Sequence, residues 1–274
     1  MINLLRSNLM RLVKSKTFYI VIAVQIFLII VKTINGYNIA QRNAPVFADY
    51  VFTMICSPYA AVMLGIVCSL FIGADYRDGT IRNKLVVGHS RMQTYVANLI
   101  TTIVSALSIC AAGLIVFFAV SFPLLGGFAN KASALWAIIM IGLLAMLAYS
   151  ALFTAVAMIS KSTVATLLIT IIGVFVVFLL SQYFVAEINT PEEYMNYIIN
   201  DAGELVEELV KNPNKMSAGV LAFFKVLLNI FPSGQLSVVG TNISVVWLSI
   251  VSSVCFLLGS VGVGFAIFRK ENLK

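Results

Sequence analysis

Charge is scarce in this chain. Of 274 residues, 11% are Asp, Glu, Lys or Arg while 61% are hydrophobic. A water-soluble domain carries about a quarter charged residues to stay solvated, so a soluble globular fold is excluded. The few charges are also unevenly placed: residues 17–31, 50–74, 92–130, 132–160, 162–186 and 226–268 contain no Asp, Glu, Lys or Arg. Long uncharged apolar stretches of this kind place the chain in the membrane class.

Other absences narrow the function. Ion-coupled transporters hold ionisable groups at membrane depth to bind and relay the coupling ion. Here Lys32 sits at the edge of the first apolar stretch, the other spans hold no ionisable Asp, Glu, Lys, Arg or His, and what remains within the spans is polar groups such as Gln25, Asn98 and hydroxyls. Secondary transport through hydroxyls and carbonyls stays open as an alternative, as does a non-transporting membrane scaffold. An intramembrane hydrolase needs a nucleophile with a base, or metal ligands; the single histidine, His89, lies between apolar stretches with no such partners nearby. Cys56, Cys68, Cys110 and Cys255 all fall inside apolar stretches without metal-ligand spacing and read as small hydrophobes. No basic face with interleaved aromatics suggests nucleic acid, despite the net charge of +7. No G-x-x-x-x-G-K-[ST] loop is present, so the chain cannot cradle ATP phosphates itself. No metal or cofactor is expected within it.

What is present is six candidate spans in one membrane domain over residues 1–274. A crossing helix needs roughly 20 apolar residues, and the spans are expected at about 17–34, 51–74, 95–122, 134–159, 163–185 and 243–268. The first borrows past Lys32, whose stem can snorkel to the interface. Pro123, Gly126 and Gly127 are expected to break the third stretch after Phe122. Gly259, Gly262 and Gly264 in the last span read as close helix packing. Positively charged loops stay on the cytoplasmic side. With both termini inside, that side holds 12 of the 18 bases and three of the 11 acids, among them Lys274 and Glu271. Two rivals fit less well: a seventh span over 217–231, short and interrupted by Lys225, and a cleaved signal peptide, for which no cleavage site follows Ile34.

Between the spans, residues 1–16 place Ile2, Leu5, Leu9, Leu12 and Val13 at helical spacing beside Arg6, Arg11 and Lys14, an interfacial amphipathic helix. Residues 186–241 form the one long outer segment. There Thr190-Pro191-Glu192-Glu193 reads as a capping box opening a helix with Tyr194, Ile198, Leu205 and Leu209 on one face and Glu204, Glu207 and Glu208 on the other. The run Val220–Phe231, ending at Pro232, suits a re-entrant or interfacial helix. Inside, Asp78 or Thr80 can cap a short helix pairing Ile81 with Leu85 and closed by Gly88, after which Ser90 and Gln93 form a capping box for the third span.

The run Asp75-Tyr76-Arg77-Asp78-Gly79-Thr80-Ile81-Arg82-Asn83-Lys84-Leu85, continuing to Ser90-Arg91, resembles the corresponding loop of ABC-2 type transporter permeases. The resemblance implies an all-α integral membrane fold: six transmembrane helices, an N-terminal interfacial helix, a cytoplasmic coupling helix between spans 2 and 3, and external or re-entrant helices before span 6. It implies a bacterial inner-membrane location and a coupling role for Asp75, Tyr76, Arg77, Asp78, Gly79, Thr80, Ile81, Arg82, Lys84 and Leu85. The partners it implies are a soluble ABC ATPase in two copies, carrying ATP and Mg, a second permease chain, identical or homologous, and membrane lipids. The cargo expected is hydrophobic or amphipathic: an antimicrobial peptide, an antibiotic or a lipid-like molecule.

Overall fold

The computed structural model describes residues 1–42, 46–199, 205–238 and 241–270. Helix α1 (Ile2–Val13) leads into α2 (Lys16–Ala40). A single turn, α3 (Asp49–Phe52), precedes α4 (Pro58–Arg77), and the short α5 (Thr80–Val86) is followed by α6 (Arg91–Val116). A π-helical turn, Phe117–Ser121, joins α6 to α7 (Phe122–Leu125); then come α8 (Ala132–Ser160) and α9 (Thr163–Asn189). Strands β1 (Glu193–Ile199) and β2 (Leu205–Lys211) precede α10 (Ala218–Ile230), α11 (Pro232–Val238) and α12 (Val246–Lys270). Among the described residues six helical runs are long and apolar enough to cross a membrane: α2, α4, α6 with α7, α8, α9 and α12. The all-α membrane class expected from composition is the class observed.

Local chemistry explains where these helices start. Pro58 occupies the first turn of α4 and the Ser57 hydroxyl accepts from the Ala60 N–H at 3.3 Å, a combination that suits an N-terminus. The span therefore begins later than the apolar stretch from residue 50 implies, and its 20 residues reach about 30 Å. The third span runs on through Pro123 to Leu125 instead of stopping at Phe122. A proline inside a helix clashes with the carbonyl four residues back and leaves it without a donor. The wider π turn immediately before it relaxes that geometry. The helix ends at Gly126, whose φ of 76° only glycine adopts readily. Lys32 lies 3.9 Å over the Tyr50 ring, so this cation within the first span is held by an aromatic face.

The spans approach closely where side chains are small. A Cβ on Gly264 of α12 would run into the Tyr95 hydroxyl of α6 and come within 3.0 Å of the Ala155 Cα of α8. Gly259 and Gly262 face open space, so of the three glycines only Gly264 packs helix on helix. Gly73 allows a second close approach, with the Thr163 Cα 2.7 Å from where its Cβ would stand. Hydroxyl pairs such as Thr102–Thr154 and Thr33–Ser121, both at 2.7 Å, add links between spans.

Two expectations for the segment before the last span are corrected. Thr190 does not open a helix: it terminates α9, its hydroxyl donating to the Ala186 carbonyl. Residues 193–199 and 205–211 pair as an antiparallel hairpin, Glu193 opposite Lys211 and Asn196 opposite Glu208. The capping signature competes with Tyr194, Tyr197, Ile198, Ile199, Val206 and Val210, residues of high strand preference, and the latter win. The side chains of Ile198 and Leu205, and Glu204, Glu271 and Lys274 altogether, lie outside the described residues.

The run after the hairpin forms α10, too short at 13 residues to cross alone, followed by α11 at a bend of 106°. Residues 217–231 thus belong to a sharply bent helix pair and not to one straight span. Its break is held by two buried amides. Asn229 Oδ1 accepts from the Val245 N–H at 2.7 Å and the Ser249 hydroxyl at 2.9 Å, while its Nδ2 donates to the carbonyls of Lys225 and Ile243. Gln235 donates to the Asn229 carbonyl and the Ser252 hydroxyl, each at 2.8 Å. Irregular backbone in a bilayer persists only when such groups are satisfied. Replacing Asn229 by Leu strands several buried partners, each costing about 1–3 kcal/mol; the unfolding midpoint of the detergent-solubilised protein is expected to fall clearly, and an unchanged midpoint counts against this account.

Candidate functional site

Asp75 lies in the last turn of α4 with no exposed surface. A carboxylate in such surroundings is costly unless paired and hydrogen-bonded. Arg11 of α1 pairs with one of its oxygens, and the Thr80 hydroxyl donates to the same oxygen at 2.7 Å. Lys84 of α5 donates to the other at 2.8 Å. One side chain thus joins three helices. The Lys84 ammonium also donates to Asn8 at 3.2 Å, and Asn8 donates to Asn98 of α6 at 2.9 Å, extending the network into the third span.

The local sequence explains how α5 is delivered to this carboxylate. Gly79 turns the chain at φ 67° before α5. Neither Asp78 nor Thr80 caps the helix, contrary to expectation, because the Thr80 hydroxyl is turned back to the carboxylate and carbonyl of Asp75. At the far end Gly88, at φ 100°, donates to the Leu85 carbonyl while His89 donates to that of Lys84, the reciprocal pair that ends helices on a left-handed residue. The Ser90–Gln93 capping box is present as expected and starts α6. Arg91 then donates to the carbonyls of Phe268 and Arg269, fastening the end of α12 beside the loop.

The candidate coupling residues divide into two groups. Asp75 and Ile81 are buried; Tyr76 is half-buried and donates to the Met158 carbonyl of α8 at 2.8 Å; Gly79, Thr80, Lys84 and Leu85 are half-buried. Only Arg77, Asp78 and Arg82 are exposed, the first two pairing with each other at 3.0 Å. Val86 and Val87, which the sequence did not single out, stand 78% and 79% exposed at the end of α5. Large apolar groups left this open beside charges are features of a docking face. Asn8, Arg11 and Asn98 were also missed as parts of the site. A signal existed for Asn8: Leu4, Asn8 and Leu12 share one face of α1, and that face is buried, whereas Ile2, Met10 and Val13 point outward.

Among the described residues no group of three His, Cys, Asp or Glu could hold a metal ion. The arrangement is an ion-paired junction with an exposed apolar and charged surface. Removing the carboxylate by Asp75→Ala leaves two cations facing each other, and loss of one partner of a buried pair costs about 3–5 kcal/mol. A large drop in the unfolding midpoint is expected, with partial recovery when Lys84→Met is added; no drop would remove Asp75 from this role.

Comparison with known proteins identifies the family. No curated protein matches the chain. The family described as ABC-2 family transporter protein matches residues 4–177, from the first turn of α1 through the α5 loop into α9. That is well over half of the chain, and an ABC ATPase is the general kind of partner such a permease has. Six membrane-crossing helices, a short helix braced between two of them and this match together make the chain a multi-pass transport permease of the ABC-2 family.

Proposed function

We propose that this chain is the membrane-spanning subunit of an ATP-driven exporter, and that ATP and Mg are bound and hydrolysed on two copies of a separate soluble ATPase. The observation that carries the reading is the brace around Asp75. A force applied to the exposed side of α5 reaches α4 through Asp75 and α1 and α6 through Lys84, Asn8 and Asn98, without passing through a flexible loop. In this reading Arg77, Asp78, Arg82, Val86 and Val87 meet the ATPase, and Asp75, Thr80, Ile81 and Lys84 position them. Tyr76 fastens the same junction to α8, and Leu85 and Gly79 shape α5.

Sidedness follows from the charge counts: α1, α5 and both termini face the cytoplasm of a bacterial cell, the hairpin faces out, and a second permease chain completes the path. An apolar cavity of about 230 Å³ between α8, α9, α11 and α12 supports a hydrophobic or amphipathic cargo. Tyr149, Phe153, Val174, Phe231 and Phe256 are among its walls, with Thr170 as a polar contact. Such a mainly apolar cavity suits a peptide, antibiotic or lipid-like molecule better than a highly charged solute.

Replacing Arg77 and Arg82 together by Glu reverses the charge presented to the partner, which costs several kcal/mol when like charges meet. Cargo-stimulated ATP hydrolysis is expected to fall by about tenfold or more, while membrane insertion and the unfolding midpoint stay as in the wild type. Normal transport by this variant overturns the coupling assignment. Topology is checked separately with a membrane-impermeant thiol reagent on intact cells: Glu207→Cys is expected to label and His89→Cys to stay protected, and labelling of both contradicts the orientation.

A further inference from the structure

A groove of about 310 Å³ opens beside Arg11, where α1, the start of α2 and the last turns of α4 converge. Its walls differ in chemistry. Arg11, Lys14, Ser15 and Thr17 supply its basic and polar wall, while Leu70 and Phe71 are among its apolar groups, with Arg11 stacked on Phe71 where the two meet. No acid lines it. The Asp75 carboxylate is adjacent but already serves both Arg11 and Lys84, so the cluster keeps an excess positive charge, to which Lys14 adds.

Arg11 is incompletely used. Its guanidinium lies 4.1 Å over the Phe71 ring, on the groove wall, and the nitrogen that pairs with Asp75 is Nη1. The other, Nη2, is buried and finds no hydrogen-bond partner among the described residues. The Ser15 hydroxyl does not cap α2. Phe71 lies in the last two turns of α4, so the groove sits at the end of a span, where hydrocarbon gives way to headgroups. Leu70, Tyr19 and Ile20, exposed nearby, continue an apolar surface away from the basic wall.

We infer that this groove binds an anionic phospholipid. Arg11, Lys14 and the two hydroxyls receive the phosphodiester, and an acyl chain lies along Leu70 and Phe71. The charge selects the lipid: a headgroup with net negative charge complements two cations, whereas a zwitterionic one brings its own ammonium to the same place. Each basic residue near a membrane surface contributes about 1 kcal/mol to holding an anionic lipid, which is a selectivity of about fivefold per residue. The inference does not depend on the coupling role of α5, since it concerns binding alone.

The test uses the full chain, delipidated in detergent, with phosphatidylglycerol and phosphatidylcholine added in equal amounts and the bound lipid counted by native mass spectrometry. Arg11 also pairs with Asp75, so the variants avoid it: Lys14→Glu changes the exposed basic wall of the groove, and Lys131→Glu makes the same charge change at the start of α8. Unfolding midpoints without lipid confirm that both variants remain folded. Wild type and Lys131→Glu are expected to retain phosphatidylglycerol about fivefold or more over phosphatidylcholine, and Lys14→Glu to lose that preference. Inorganic phosphate at millimolar concentration is expected not to displace the lipid, because the acyl contacts are absent from it. Equal retention of the two lipids, an unchanged preference in Lys14→Glu, or complete displacement by inorganic phosphate each overturns the inference.

Discussion

A buried carboxylate must be compensated, and the end of this molecule that carries α1 and α5 is arranged around that requirement. Asp75 has no contact with solvent, and its compensation comes from Arg11, 64 positions earlier, and from Thr80 and Lys84 in the loop that follows. The interior of a protein offers too little polarisability to hold the charge alone. Three helices are therefore drawn to one point, and α5 is fixed in place although it is only seven residues long. A helix of that length is not stable by itself in water. Its persistence here comes from Ile81 packing inward, from the two glycine turns that bound it, and from the ion pair beneath it.

The match to the ABC-2 family spans every residue of this junction. In the proposed reading, motion is delivered to this permease from outside the bilayer. The exposed pair Val86 and Val87 beside Arg82 offers a contact surface, and the buried side of the same loop offers a route into the spans. Elsewhere, Asn229 and Gln235 hold the bent pair α10 and α11 against α12 with a comparably saturated network. Between the two lies an apolar bundle whose inter-span links are mainly hydroxyl pairs and close glycine contacts.

Much of this was legible in the sequence, for identifiable reasons. The spans announce themselves because a membrane-crossing helix tolerates few charges, and the α5 loop because Gly79, Gly88, Ser90 and Gln93 are local signals whose effects do not depend on distant residues. The inward direction of Asp75 was not legible, since it is decided by Arg11 and Lys84 arriving from other elements. The hairpin was misread because Thr190-Pro191-Glu192-Glu193 imitates a helix start, while the strand preference of Tyr197, Ile198 and Ile199 is expressed only through pairing with a second segment. Pro123 was read as a stop because a π turn that accommodates proline has no fixed sequence signature. Asn229 and Gln235 appeared as isolated polar residues in an apolar run; their roles follow from the bend between α10 and α11.

The central claim is that the Asp75 carboxylate holds α5 rigidly to the spans, and hydrogen exchange of the α5 backbone amides tests it most directly. Asp75→Asn keeps the side chain's size while removing its charge. The amides of residues 80–86 are expected to exchange markedly faster in that variant, with the middle of α4 and α8 unchanged. Identical exchange of α5 in variant and wild type would contradict the account.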